Sequence, residues 1–209
     1  ISMHGKRGFD SDIDIVVENS WSELEVYIDK LGAVRNKFGG YRLEVDGWDV
    51  DIWSAEETWA IRCGYITYMG IRSLVDTTVL NWDSILMNWR TKRFICKKNY
   101  LQCINDRELD VVLLENPNQK GMLVRVLRHM CEKKAKILTY RAASYLRECV
   151  KSFDYEDLVL SEKLSYSNSI ISQEVYLYCS SLNIDQSFKN KLVDCSIYNQ
   201  SQQDQGSLL

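Results

Sequence analysis

In Asp10-Ser11-Asp12-Ile13-Asp14-Ile15-Val16-Val17, acids and apolar residues alternate, and Asp49-Val50-Asp51-Ile52-Trp53 repeats the pattern. Alternation with period two is the signature of a half-buried β-strand. Asp12 and Asp14 then share one strand face, and Ile13, Ile15 and Val17 share the other. Asp49, Asp51 and Trp53 share a face of the second strand, opposite Val50 and Ile52. Burying the apolar faces leaves two or three carboxylates side by side. Like charges at that spacing repel and raise one another's pKa unless a cation lies between them. A hard divalent ion such as Mg²⁺ binds carboxylate oxygens and keeps water or substrate phosphate as its remaining ligands. Two such ions about 3.5–4 Å apart activate an attacking hydroxyl and stabilise the leaving oxygen of an in-line phosphoryl displacement. The competing role for both segments is a pair of edge strands carrying solvated acids.

The elements that would position these acids can be read around them. Ser20 or Ser22 caps a helix running to about Gly32. Phe38-Gly39-Gly40 is a turn, Tyr41 to Val45 a strand, and Asp46-Gly47 a hairpin turn that returns the chain into the second acidic strand. Ser54 with Glu57 has the spacing of a capping box and predicts a short helix. Leu74 to Met87 and Phe94-Ile95-Cys96 read as further strand. Pro117, the only proline, breaks the chain. Beyond it Met122, Val126, His129 and Met130 recur at helical spacing, with Leu123 and Leu127 widening the stripe. Further helices are predicted at about 139–151, 154–165, 170–182 and 185–197. The reading is an α+β protein with a mixed-sheet head over 1–112, a helical domain over 113–198 and a polar tail over 199–209.

Composition narrows the setting. The 209 residues are 45% hydrophobic and 11% aromatic, enough for a packed core. No apolar run reaches the roughly 18 residues of a membrane span, so no membrane partner is expected. The seven cysteines are scattered without a C-x-x-C, and His4 and His129 are the only histidines. This spacing argues for reduced thiols in a cytoplasmic protein rather than for zinc or disulfides. The net charge of −3 hides an asymmetry: Arg90 to Lys151 holds 15 Lys and Arg against 6 Asp and Glu. An acidic metal-holding part joined to a basic part suits a phosphate-rich substrate. Within the basic span, Trp89, Arg90, Arg93, Phe94 and Tyr100 combine base-stacking rings with phosphate-neutralising charge. Core packing is the competing role for the three aromatics.

Three segments resemble the nucleotidyltransferase superfamily, and more narrowly the head and neck of class II CCA-adding enzymes and bacterial poly(A) polymerases. Gly5-Lys6-Arg7-Gly8-Phe9-Asp10-Ser11-Asp12-Ile13-Asp14-Ile15 is similar to the strand with two catalytic aspartates. Asp76-Thr77-Thr78-Val79-Leu80-Asn81-Trp82-Asp83-Ser84-Ile85 is similar to the D-F-T-x-N-A segment. Asn116-Pro117, then Leu123-Val124-Arg125-Val126-Leu127-Arg128-His129-Met130, resembles the neck helix. The resemblance implies transfer of a nucleoside monophosphate from an NTP to a hydroxyl, with Mg²⁺ or Mn²⁺ as cofactor. It implies Asp12, Asp14 and Asp51 as catalytic metal ligands, with Asp49 as alternate to Asp51. Lys6, Arg7, Arg125 and Arg128 are the implied nucleotide-binding residues.

Two departures accompany the resemblance. The family's first helix and strand, with a Gly-Gly or Gly-Ser turn that helps hold the triphosphate, would lie mostly before residue 1. The acid pair of the neck that helps select the base is replaced by Gly121 and Met122. Slow or degenerate transfer is therefore expected rather than CCA synthesis, with an NTP and RNA as partners and a homodimer covering the sheet edge. A non-catalytic nucleotide- or RNA-binding module of the same fold is the alternative, and a toxin–antitoxin or regulatory component a third.

Overall fold

The structure, a computed structural model, describes residues 12–18, 21–36, 38–166, 168–184 and 189–193. Lys6, Arg7, Ser20 and the tail from 199 lie outside them. The chain forms two compact units, Ile1–Thr77 and Thr78–Leu209.

The first unit is built on strand β1 (Ile13–Val17), helix α1 (Trp21–Lys30), and strands β2 (Val34–Arg35), β3 (Tyr41–Val45) and β4 (Trp48–Ser54), followed by a short helix α2 (Trp59–Arg62). The sheet order is β1-β4-β3-β2. β1 runs parallel to β4, and β3 antiparallel to β4 and β2. Asp46 and Gly47 both take positive φ, 51° and 75°, which turns the β3–β4 hairpin with the handedness its strands need. A side chain at Gly40 would come within 2.8 Å of the Ile52 carbonyl and the Trp53 Cβ. Only glycine admits that approach. One sheet face is apolar and carries α1: Ile28 and Tyr41 are buried, and the Tyr41 hydroxyl donates to Glu25 at 2.7 Å. That hydrogen bond, with burial and the charge of Asp29, pushes the Tyr41 phenol up to about 12. Ser54 ends β4 as a buried residue instead of capping a helix. The short helix begins later, after Thr58, whose hydroxyl accepts from the Trp53 indole at 3.1 Å.

The second unit contains the hairpin of β5 (Ile85–Met87) and β6 (Phe94–Cys96), α3 (Tyr100–Asp106), β7 (Glu108–Leu109), α4 (Gln119–Glu132), β8 (Ile137–Leu138), α5 (Tyr140–Val150), α6 (Tyr155–Ser165), α7 (Gln173–Ser180) and β9 (Lys191–Leu192). Asn118, Thr139 and Ser172 cap α4, α5 and α7 by accepting backbone N–H groups. The apolar stripe of α4 packs with Leu146, Leu158, Val175 and Cys179 into one core. Leu80, Leu109 and Val111 belong to that same core. That explains why the first unit ends at Thr77, not near 112: Leu80, Leu109 and Val111, which follow that point, bury their side chains with those of the helices.

Leu74 to Met87 holds parts of two 3-10 turns, Ile71–Asp76 and Asn81–Asp83, with a named strand only from Ile85. Thr77 and Thr78 donate their hydroxyls to the Leu74 and Leu80 carbonyls, an alternative to a strand ladder. Asn81 is tied to Glu108 and Asp110 by backbone and side-chain bonds of 2.9–3.1 Å. Of the helix expected over 185–197, residues 191–192 instead form β9, antiparallel to β8; 185–188 and 194–197 lie outside the described residues. Helix α3 and the three-stranded β7-β8-β9 sheet were not foreseen by the sequence pattern.

Arg128, an implied nucleotide-binding residue, is buried in this unit and paired with an acid. Its side chain is 6% exposed and donates to fully buried Glu162 at 2.6 Å. It also donates to the Asn168 side chain at 2.9 Å and lies 4.1 Å from the Tyr166 ring centroid. Glu162 accepts in turn from the Ser169 hydroxyl and the backbone N–H groups of Ile170 and Ile171, so the pair fastens the segment after α6 to α4. Breaking a buried pair from one side strands the other charge. Arg128→Ala is expected to lower unfolding stability by about 3–5 kcal/mol, read by urea denaturation. A loss near zero would show that the pair carries no structural weight.

Candidate functional site

The parallel register of β1 and β4 sets Asp14 directly beside Asp51. The next strand sets Arg42 opposite Asp51, and the last sets Val34 opposite Arg42. Residues paired across a sheet point to the same face. One face of the four strands thus carries Asp12, Asp14, Asp49, Asp51 and Glu44, with Arg42 among them. Asp12, Asp14 and Asp49 are exposed and Asp51 is half-buried. The opposite face is the apolar one, except that Ile13 and Ile15 on β1 remain 38% and 41% exposed.

Arg42 answers the charge problem that this row of acids creates. Its Nε donates to Asp51 Oδ1 at 3.0 Å, and its Nη2 donates to Asp51 Oδ2, a two-pronged contact. The same Nη2 donates to Asp12 Oδ2 at 2.8 Å. The hydrogen bond and charge of Asp51 outweigh partial desolvation, and Asp12 and Asp49 add to them, holding the Arg42 guanidinium above its ordinary range. Two of the three expected ligands, Asp12 and Asp51, therefore converge, and they converge on a guanidinium. Among the described residues no three His, Cys, Asp or Glu side chains are grouped to hold a metal ion. Asp49 sits one step along the hairpin, opposite Glu44. Arg42 was legible only as a strand residue; its role depends on β3 lying next to β4.

No family model matches the chain, and no curated protein matches it. Solved structures do. A structure titled tRNA-processing enzyme (apo form I) aligns over 86% of this chain and 50% of its own, with a TM-score of 0.55 and 16% identity. A tRNA nucleotidyltransferase complexed with a primer tRNA and an incoming ATP analog aligns over 80% of this chain and 51% of its own, with a TM-score of 0.52 and 16% identity. The fold is nucleotidyltransferase-like. The chain spans about half the length of the structures it matches.

In the second unit, the other implied nucleotide-binding arginine, Arg125, is half-exposed and lies 2.9 Å from Asp83 Oδ2 as an ion pair without hydrogen-bond alignment. His129 Nδ1 donates to the Arg125 carbonyl at 2.9 Å, and its Nε2 lies 3.7 Å from Asp83 Oδ1 and 2.9 Å from Lys133 Nζ. Burial alone would raise the Asp83 carboxyl, but His129, Arg125 and Lys133 together hold it below its ordinary value of 3.8. A depressed carboxyl contributes stability at pH above its unfolded value and loses it as pH falls through the folded one. Asp83→Asn is expected to cost about 1–3 kcal/mol at neutral pH and nothing in strong acid. Thermal melts across pH check this, and equal losses at both ends would assign the effect to packing.

Among the described residues, no helix is long and apolar enough to cross a membrane. The six described cysteines, including buried Cys103 and Cys179, are free thiols.

Proposed function

We propose that the acidic sheet face is a nucleotidyl-transfer site, which moves a nucleoside monophosphate from an NTP to a hydroxyl, with an RNA end as acceptor. The observation that supports it best is the convergence of Asp12 and Asp51, from adjacent parallel strands, on one positive charge within a nucleotidyltransferase-like fold. In such a transfer the acceptor oxygen bonds to the α-phosphorus, the bond to the β-phosphate oxygen breaks, pyrophosphate leaves with the electron pair, and the hydroxyl proton passes to solvent.

The donor set suits a hard divalent ion: carboxylate oxygens on an open face, with room for substrate phosphate as further ligand. Asp12, Asp14 and Asp51 would hold Mg²⁺ or Mn²⁺. The ion supplies charge neutralisation for the attacking and leaving oxygens. Arg42 occupies the charge position of such an ion, so it must release Asp12 and Asp51 for the ion to bind. That same contact favours the second reading, a non-catalytic nucleotide-binding module whose acids are already neutralised.

The two readings part in one assay. Pyrophosphate release from mixed NTPs with Mg²⁺ and total RNA is expected from the intact chain and is expected to be lost in Asp14→Ala. Nucleotide binding without turnover would leave the module reading, and neither binding nor turnover would leave the fold alone. Arg42→Gln is expected to tighten Mn²⁺ binding about tenfold or more by calorimetry, since removing the competing cation leaves the carboxylates facing one another. Weaker binding in Arg42→Gln would show that Arg42 organises the site rather than competes for it.

A further inference from the structure

The β5–β6 hairpin stands apart in charge from the rest of the molecule. Residues 85–98 hold Arg90, Lys92, Arg93, Lys97 and Lys98 and no acid, in a chain of net charge −3. The strands are three residues each, paired Ile85 to Cys96 and Met87 to Phe94. The connecting residues 88–93 are all exposed. Trp89 is 78% exposed and Phe94 60%, so neither ring serves the core. Together the two rings are exposed aromatic surface that the fold itself does not bury.

The tip is nonetheless ordered. Asn88 Oδ1 accepts from the Thr91 backbone N–H at 2.9 Å and from its hydroxyl at 3.1 Å. The Asn88 N–H donates to the Arg93 carbonyl and the Lys92 N–H to the Asn88 carbonyl, at 2.9 and 2.8 Å. Lys92 takes φ 56°, the left-handed conformation that closes the loop. This sets its ammonium 3.1 Å from the centroid of the Trp89 ring. A cation over one face polarises the ring and holds it in place. The hairpin therefore presents a fixed aromatic surface ringed by positive charge. Duplex nucleic acid has no free base to offer such a ring, whereas a single strand offers bases for stacking and phosphates for the cations.

We propose that the β5–β6 hairpin is a docking surface for single-stranded nucleic acid, with Trp89 as the stacking platform and Arg90 and Arg93 as phosphate contacts. This goes beyond the nucleotidyl-transfer reading and stands without it, since it uses no residue of the acidic face.

Fluorescence anisotropy of the full chain with labelled oligouridylate, the matching DNA strand and a duplex, each across a salt titration, tests it. Trp89→Ala is expected to weaken single-strand binding about tenfold at every salt concentration, and Trp89→Phe to restore most of it. Arg90→Ala with Arg93→Ala is expected to weaken binding and to reduce the salt slope by about 1.4, the value for two lost phosphates. Pyrophosphate release is measured on the same Trp89 and arginine variants, so loss of turnover and loss of docking are read separately. Tighter binding to RNA than to DNA would assign the surface to RNA, and the reverse to DNA. Far-ultraviolet dichroism confirms that each variant folds. Single-strand affinity unchanged in the folded Trp89 and arginine variants overturns the proposal. So does duplex binding as tight as single-strand binding, or binding to phosphatidylglycerol vesicles with none to the oligonucleotides.

Discussion

Carboxylates set side by side on one sheet face repel, and the first unit is organised around that repulsion. Asp14 and Asp51 are register partners, with Asp12, Asp49 and Glu44 on the same face. The sheet is tolerable because Arg42 reaches two of these acids from the third strand. The guanidinium does so with paired donors to Asp51 and a shared nitrogen to Asp12, a geometry that an ammonium does not offer. The apolar face answers the opposite demand, burying Tyr41, Val50 and Ile28. The strand alternation sets these two demands on opposite faces.

The Arg42 contact with these acids lies at the edge of water. The site's negative charge is a fixed property of the sheet, while Arg42 is a long side chain about half exposed to water. Its contact with Asp51 is nonetheless two-pronged, and the Asp51 side chain is 18% exposed. The contrast with Glu162 is instructive. That acid has no exposure and is held by Arg128, a hydroxyl and two backbone N–H groups, an arrangement suited to permanence. Two ion pairs of the same chemistry thus differ in how far water reaches them.

The second unit shows how burial reassigns residues that look alike in sequence. Arg125 and Arg128 lie three apart on one helix, and both fit the neck pattern. Arg125 stays half-exposed against Asp83, whereas Arg128 is enclosed by α6 and the segment that follows it. The aromatics divide the same way. Tyr100 donates its hydroxyl to the Trp82 carbonyl and joins the fold, while Trp89 and Phe94 stay outside. Seen as a string, all three aromatics suit a core or a stacked base.

Alternation and turn chemistry alone determined the two acidic strands, the acidic and apolar face of each, the Asp46-Gly47 hairpin, the helix over 21–30 and the helices over 119–132, 140–150 and 155–165. These rest on interactions within a few residues, and the nearest neighbours in sequence suffice to specify them. What lies between distant segments was decided only by tertiary structure. The choice of Arg42 as counter-ion follows from the β3–β4 pairing. The division at Thr77 follows from Leu80 and Val111 joining the helical core. The short strands β7, β8 and β9 form because segments far apart meet. A two-residue strand carries no period to read, and a side chain's partner is set by what the fold brings beside it.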